Sequence, residues 1–298
     1  MKKKFDLMSK NDKVSSLYKA STLVEALPYI RQHNKKIVVI KYGGHAMGDK
    51  KLSRNFAEDI GLLKEVGIMP IIIHGGGPQI DNALKKSKIQ TKFIEGLRVS
   101  NKEVIRVVEN ILVNKLNKKI KNEITNSGTK VVGLAGNKKK IILAKKLKVF
   151  KSKKNIDIGF VGYPVKINVK LINKYLKNNL VPIIAPLGTD GRNTFNINAD
   201  TVAGAVAGAI KSNKLIMMTN VSGIKNKKNK LITGLTLKEA KKLIDKEFIR
   251  DGMKPKIKTC ISALQKGVKE ATILDGRVPH AIILELFTII GVGTQIRK

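Results

Sequence analysis

Cysteine, tryptophan and aromatic residues are scarce in this chain of 298 residues, which has one cysteine, no tryptophan and 4% aromatic residues. Because Cys260 has no second cysteine to pair with, an internal disulfide is excluded, and we expect a cytoplasmic protein. A single thiol also excludes a zinc site built from cysteines, and the four histidines lack the spacing of metal ligands. We therefore predict no metal ion held by protein side chains.

Long apolar runs are missing as well. Residues 1–6 are basic but lack the apolar segment that a secretory signal peptide needs. The most apolar stretch near the end, residues 281–292, contains Glu285 and is too short to span a bilayer. The sequence therefore predicts no association with a membrane.

Acidic residues are few, 22 against 59 basic ones, so the formal net charge is +37. Such a charge is compatible with nucleic-acid binding. However, only eight of the basic residues are arginines, and the aromatic platforms typical of single-strand binders are rare. The lysines are spread along the whole chain, so we interpret them as a solvated surface and expect no nucleic-acid partner.

The order of apolar runs and glycine turns predicts an α/β protein. Residues 11–33 have apolar positions near helical spacing, and they precede the first predicted core strand. Residues 36–90 then alternate strand, glycine turn and helix twice, which favours right-handed crossovers on a parallel sheet. We predict an αβα sandwich with a mainly parallel central sheet and an N-terminal helix.

For the domain organisation, we expect a helical extension over residues 1–33 and one domain over 34–298. The β-rich region 130–168 contains lysine clusters at 138–140 and 151–154, which we predict to be hairpin turns. We divide the larger domain into two halves, at 34–190 and 191–298.

Two glycine turns are the most informative local features. One follows the apolar run 37–40 and is preceded by Lys41, and the other follows the run 71–73 as Gly75, Gly76 and Gly77. Glycine lets backbone N–H groups approach an anion beside the positive end of a helix. Two such turns about thirty residues apart suggest a phosphate held from two sides, although a triple glycine is also compatible with a simple packing turn.

Standard nucleotide motifs do not fit these turns. Gly43 and Gly48 have the spacing of a P-loop, but Asp49 stands where its lysine is needed. The second turn has Ile80 in place of the third glycine of a dinucleotide fingerprint. No G-x-S-x-G nucleophile elbow is present either.

Residues that handle anions remain at the predicted strand ends. They are Lys41, Gly44, Gly76, Gly77, Arg98, Asn196, Asn198, Asp200 and Lys256. Phosphoryl transfer needs positioning and charge stabilisation by cations and N–H groups, which two lysines held by one aspartate could supply. We find no convincing general base, which fits a nucleophile that is already ionised, such as a carboxylate. Asp200 is also compatible with a role that is limited to capping its helix, and Lys256 is one lysine among many.

Five segments in this order resemble the amino acid kinase family, over nearly the whole chain from about residue 20. They are Ile40–Gly44, His74–Gly77, Gly96–Val99, 196–200 and 252–256. Within the family they resemble the branch that transfers phosphate from ATP to the γ-carboxylate of N-acetyl-L-glutamate, the second step of arginine biosynthesis. The resemblance implies ATP with Mg²⁺ as co-substrate and no tightly bound cofactor.

The resemblance also implies roles for individual residues. Lys41, Lys256, Asp200 and Gly44 correspond to catalytic positions, and Gly76, Gly77, Arg98 and Asn196 to positions that bind acetylglutamate. The nucleotide positions correspond to Asn220, Val221, Ser222, Gly223, Ile224, Phe248, Ile249 and Arg250. Asn220 stands where the family commonly has aspartate, which leaves that local nucleotide contact open. By the same resemblance, the first half of the domain binds acetylglutamate and the second half the nucleotide.

The N-terminal helix and the segment from Asp275 to Thr294 resemble the arginine-inhibited branch of the family. The resemblance implies an arginine site that includes His280, Glu285 and Gly293. It also implies a homo-oligomer, a hexamer in which N-terminal helices link dimers.

Two alternatives remain open from the sequence. The first is another amino acid kinase, acting on free glutamate, aspartate, carbamate or UMP. The second is a non-catalytic, basic regulatory or nucleic-acid-binding protein on the same scaffold.

Overall fold

The computed structural model describes residues 9–151, 154–249, 252–289 and 291–298. The helices are α1 (Lys10–His33), α2 (Lys50–Glu65), α3 (Gly77–Lys86), α4 (Lys102–Glu109), α5 (Lys118–Asn126), α6 (Val169–Lys177), α7 (Ala199–Ile210), α8 (Leu237–Leu243), α9 (Lys254–Gln265) and α10 (Ala281–Phe287). The strands are β1 (Ile37–Tyr42), β2 (Met69–His74), β3 (Phe93–Ile94), β4 (Leu97–Arg98), β5 (Val131–Ala135), β6 (Ile142–Lys146), β7 (Val149–Lys151), β8 (Lys154–Ile156), β9 (Gly162–Ile167), β10 (Val181–Ala185), β11 (Leu187–Thr189), β12 (Thr194–Asn196), β13 (Lys214–Thr219), β14 (Gly234–Thr236), β15 (Glu270–Asp275) and β16 (Gly293–Arg297).

Eight strands form the central sheet, in the order β14-β16-β15-β13-β1-β2-β10-β5. Neighbouring strands run parallel except for β15 and β16, which are antiparallel. The inner strands carry β-branched residues on both faces, which is typical of a parallel sheet covered on both sides. The predicted mainly parallel sheet is confirmed.

The side chains of β1 show how the two faces are covered. Val39 packs into a core that includes Val202 of α7 and Ile257 of α9. Its neighbours Val38 and Ile40 point to the other face and pack into a separate core with residues of α2, α4 and α5. Because successive side chains of a strand alternate between faces, the sheet is the middle layer of an αβα sandwich, as predicted.

A smaller sheet of β12, β11, β6 and β9 lies beside the main one. The predicted hairpin turn at residues 138–140 is wrong, because this segment is a 3₁₀ turn (Lys138–Lys140) that leads from β5 in the large sheet to β6 in the small one. A lysine cluster indicates a solvated turn, but it does not specify which sheet the next strand joins. The cluster at 151–154 does join an antiparallel pair, β7 and β8, although residues 152 and 153 lie outside the described part.

Helix α1 begins at the N-cap Ser9, whose side chain accepts a hydrogen bond from the N–H of Asp12. It packs against α10 near its C-terminal end. Farther toward its N-terminus it exposes apolar side chains, namely Val14, Leu17, Tyr18, Leu23 and Val24. None of the described helices is both long and apolar enough to cross a membrane.

Candidate functional site

The two glycine turns lie side by side where β1 and β2 end. The strands are parallel neighbours, with Tyr42 opposite His74. The N–H of Gly75 donates a hydrogen bond of 2.7 Å to the carbonyl of Tyr42, which fastens one turn to the other. Gly44 has a positive φ of 73°, a conformation that favours glycine. Ligands of open α/β sheets bind at this carboxyl edge.

An ion cluster of Lys41, Asp200 and Lys256 lies beside these turns. The Nζ atom of Lys41 is 3.1 Å from Oδ1 of Asp200, and the Nζ atom of Lys256 is 2.8 Å from Oδ2 of the same carboxylate. Lys41 also donates to the carbonyl of Met218 on β13, the strand on the other side of β1. One carboxylate therefore holds two ammonium groups, and the cluster keeps a net positive charge.

Asp200 is placed by the start of α7. The N-cap of that helix is Asn198, whose side-chain oxygen accepts hydrogen bonds from the N–H groups of Asp200 and Thr201. The carboxylate is therefore not needed as a cap and points to the lysines. Burial alone would raise the pKa of Asp200, but the charges of Lys41 and Lys256 and their hydrogen bonds lower it below its ordinary value.

Arg98 lies on the short hairpin of β3 and β4. Its guanidinium is buried, with Nη1 2.6 Å from Oδ1 of Asp81 on α3. The guanidinium carbon also lies 4.7 Å from the centre of the Phe93 ring. The sequence singled out Arg98 but not Asp81 or Phe93, whose contacts with it depend on how the hairpin folds over α3.

One cavity of about 290 Å³ contains the predicted catalytic and substrate residues together. Its lining includes Lys41, Gly44, Gly76, Gly77, Arg98, Asn196, Asp200 and Lys256. We call it the transfer cavity. Two lysines and an arginine are among its lining residues, so it suits a molecule with two anionic groups.

A second cavity of about 830 Å³ adjoins the first, and we call it the nucleotide cavity. Its lining includes the predicted Asn220, Val221, Ser222, Gly223, Ile224, Phe248 and Ile249. Arg250 lies outside the described residues. Lys256 lines both cavities, so this residue lies where they adjoin. Asp275 and Arg277 also line the nucleotide cavity, where they form an ion pair of 2.7 Å. They were not predicted as nucleotide positions from the sequence.

The structure does not bring together the three residues that were predicted to bind arginine. Glu285 and Gly293 line a third cavity of about 320 Å³, between the end of α1 and the last strands, which we call the α1 cavity. His280 does not line it. Its Nδ1 instead lies 2.6 Å from Oδ1 of Asp59 on α2. Burial raises the pKa of Asp59 to about 6, and the contact with His280 opposes that rise.

A buried lysine that was not singled out from the sequence lines the α1 cavity. Lys214 is 3% exposed, and its Nζ lies 2.9 Å from Glu285 and 3.4 Å from Glu270. The hydroxyl of Thr272 donates a further hydrogen bond to Glu285. Two carboxylates surround one ammonium group here, so these three side chains carry a net negative charge, while Arg297 also lines the cavity.

Across the described ranges, no group of three or more histidine, cysteine or acidic side chains is placed to hold a metal ion. Cys260 is fully buried behind Asp200, and burial raises the pKa of its thiol to about 12. A thiol with such a pKa stays protonated at neutral pH, so Cys260 is a core residue and not a nucleophile.

Fold and site together define a class, an α/β protein with a cationic transfer site at the carboxyl edge of a parallel sheet. The model of the amino acid kinase family matches residues 36–275. The chain therefore belongs to the amino acid kinase family. The resemblance to this family that its five motifs show is confirmed.

The chain is also similar to individual proteins of known name. The chain is 46% identical over 287 residues to the acetylglutamate kinase of Geobacter metallireducens, covering 94% of this chain and 98% of that one. Among solved structures it resembles N-acetylglutamate synthase from Neisseria gonorrhoeae complexed with coenzyme A and N-acetyl-glutamate, with a TM-score of 0.84, 26% identity and 94% of this chain covered. The complex of that synthase with coenzyme A and L-arginine gives a TM-score of 0.79 at 25% identity, again over 94% of this chain. The chain spans 63% and 65% of the length of those synthase chains.

Proposed function

We propose that this protein phosphorylates the γ-carboxylate of N-acetyl-L-glutamate with ATP, giving N-acetyl-L-glutamyl 5-phosphate. The reaction is the second step of arginine biosynthesis. The observation that carries the proposal is the pair of lysines on Asp200: both line the transfer cavity, and Lys256 also lines the adjoining nucleotide cavity. The 46% identity to an acetylglutamate kinase over nearly the whole chain supports this substrate.

In this proposal each end of the substrate has a partner in the transfer cavity. Arg98 pairs with the α-carboxylate, and Gly76, Gly77 and Asn196 line the space beside it. The γ-carboxylate then lies near Gly44 and the two lysines. ATP occupies the nucleotide cavity with its terminal phosphate toward Lys256.

The reaction needs no base from the protein. A γ-carboxylate with an ordinary pKa of about 4.3 is ionised at neutral pH. One of its oxygens attacks the γ-phosphorus, the bond from that phosphorus to the β,γ-bridging oxygen breaks, and ADP leaves with the electron pair. Lys41, Lys256 and the N–H groups of Gly44 and Gly76 stabilise the charge that spreads over the transferred phosphoryl oxygens.

Mg²⁺ would enter with the nucleotide. The ion prefers oxygen ligands, and the buried carboxylate of the transfer cavity is already bound by two ammonium groups. We therefore assign Mg²⁺ to the phosphate oxygens of ATP, where it neutralises part of their charge.

L-Arginine is the proposed inhibitor, bound in the α1 cavity with its guanidinium toward Glu270 and Glu285. The two carboxylates around the single ammonium group of Lys214 support a cationic ligand. The resemblance to a synthase solved with L-arginine adds support. We further propose a hexamer in which α1 links dimers, because the exposed apolar side chains of this helix suit a contact with a second copy. The part of His280 in the arginine response stays a prediction.

A steady-state assay tests the proposed function. ATP turnover is measured with N-acetylglutamate and, in parallel, with glutamate, aspartate, carbamate and UMP, each with and without arginine. We expect the highest kcat/KM with N-acetylglutamate and inhibition by arginine at millimolar concentrations or below. A higher kcat/KM with any other acceptor would refute the substrate, and a flat arginine response would refute the inhibition.

A further inference from the structure

His74 is a buried histidine that the transfer reaction does not use. It is the last residue of β2, directly before Gly75, and it is fully buried. Its Nδ1 lies 2.9 Å from the carbonyl oxygen of Gly75, and its Nε2 lies 3.1 Å from the side-chain nitrogen of Asn117.

These contacts determine the protonation state of the ring. A carbonyl oxygen can only accept, so Nδ1 of His74 carries the proton and donates it to Gly75. The amide nitrogen of Asn117 also donates to the carbonyl of Ile183, at 2.9 Å, which fixes the orientation of the amide. That nitrogen therefore donates to Nε2 as well, and Nε2 is an acceptor. Burial lowers the pKa of His74 to about 4, so the ring is neutral at physiological pH.

Asn117 comes from a π-helix, Asn110–Asn117, between α4 and α5. The same segment presents Leu112 and Leu116 to the second glycine turn. A Cβ atom added to Gly76 would lie 2.6 Å from Leu116 and 2.7 Å from Leu112. The π-helix therefore contacts this turn in two ways, through the leucines on Gly76 and through Asn117 on His74. A π-turn within an α-helix is often found at functional sites.

We propose that His74 and Asn117 are positioning residues for phosphoryl transfer. The ring of His74 holds the Gly75 carbonyl, and Asn117 holds the ring, so that Gly76 and Gly77 keep their place on the wall of the transfer cavity. The proposal rests on the proposed function, in which the N–H of Gly76 stabilises the transferred phosphoryl group. Neither side chain lines the transfer cavity, so they act through the turn and not on the substrate.

Two substitutions at one position separate this role from simple packing. In His74→Asn the amide nitrogen takes the place of Nδ1 and can still donate to Gly75, but the contact with Asn117 is lost. In His74→Gln the amide reaches the place of Nε2 and Asn117, but the donor to Gly75 is lost. Each variant gives up one buried hydrogen bond, so we expect similar losses in thermal stability.

The readout is kcat with saturating ATP and N-acetylglutamate. We expect kcat of His74→Gln to be at least about tenfold below that of His74→Asn, with KM for both substrates changed less, because the turn stabilises the transition state. A kcat in both variants close to that of an active wild type would overturn the proposal. A wild type without turnover would instead refute the proposed function.

A measurement on the unmodified protein keeps the inference testable if the variants do not fold. In ¹⁵N-labelled protein, imidazole NMR should show a protonated Nδ1 and an unprotonated Nε2 for His74. That pattern should persist from roughly pH 5 to 8, since the ring does not charge in this range. Titration of His74 within the range, or a protonated Nε2, would overturn the proposal whether or not the protein is a kinase.

Discussion

Two buried lysines on adjacent strands have opposite surroundings. Lys41 stands near the carboxyl end of β1 and shares the single carboxylate of Asp200 with Lys256. Lys214 stands at the amino end of β13, opposite Val38 in the register, and faces the two carboxylates of Glu270 and Glu285. One cluster has two cations for each anion, and the other has two anions for each cation.

The difference in charge around Lys41 and Lys214 indicates what each buried lysine does in this fold. A buried ion pair is weak evidence of stability, because desolvation offsets most of its Coulomb energy. The surplus charge is the informative part. At the carboxyl edge the surplus is positive and suits a phosphoryl group, and at the amino edge it is negative and suits a cation.

Removing the shared carboxylate should have the largest effect. In Asp200→Asn two ammonium groups remain close together without an anion, and we expect the free energy of unfolding to fall by about 3 kcal/mol at pH 7. The pKa of Asp200 is lowered in the folded state, so the wild-type advantage is present above about pH 4. It shrinks as the pH falls through the folded-state pKa, because the folded carboxylate must then be protonated.

Urea unfolding of both proteins between pH 7 and pH 3 measures this difference. Asp245→Asn, at an exposed aspartate, is the matched control and should change the unfolding energy little at any pH. A wild-type advantage that is absent at pH 7, or that does not vary with pH, would contradict the role of Asp200 as the common partner of the two lysines.

Removing one cation tests the positive cluster. Lys41→Met should lower kcat by roughly 10²- to 10³-fold, the usual cost of losing one group that stabilises transition-state charge. The control is Lys36→Met, at an exposed lysine just before β1, which should keep kcat within about twofold. A kcat for Lys41→Met close to that of the control would contradict the role of the positive cluster in phosphoryl transfer.

Neutralising one anion tests the negative cluster. Glu285→Gln removes the surplus negative charge around Lys214, so the arginine concentration for half-inhibition should rise at least about tenfold, as expected for a lost charge-assisted hydrogen bond. Inhibition curves for this variant and for the exposed control Glu65→Gln decide the point. Coinciding curves would show that arginine does not use this carboxylate.

The smallest effect is expected at the substrate end of the transfer cavity. Arg98→Lys keeps the positive charge but loses the planar fork, and it also loses the stacking on Phe93. KM for N-acetylglutamate should rise about five- to tenfold while kcat falls less. A KM unchanged within error would mean that charge alone, without the fork, recognises the α-carboxylate.

Local features of the chain could be predicted from the sequence. The glycine turns after β1 and β2 stood out because each follows a short β-branched run, and parallel pairing then places both at one edge. Asn198, Asp200 and Lys256 were singled out as well, and the structure brings Asp200 and Lys256 within 2.8 Å. The roles of these residues and the division into halves at 190 stay predictions.

Features that depend on long-range contacts could not be predicted. The π-helix between α4 and α5 is one example, because nothing in the sequence pattern marks where Asn117 must reach His74. The antiparallel strand β16 was missed, since a short strand at the chain end reads like a loop. Lys214 was one lysine among many until the fold buried it beside two glutamates.

The most direct test follows the acyl phosphate itself. Enzyme, ATP, Mg²⁺ and N-acetylglutamate are mixed with hydroxylamine, which traps the product as a hydroxamate. Wild type is compared with Lys256→Met and with Lys258→Met, an exposed lysine two residues along α9. We predict hydroxamate from wild type and Lys258→Met at similar rates, and at least about 100-fold less from Lys256→Met. Wild type without hydroxamate, or equal rates in the two variants, would contradict the account.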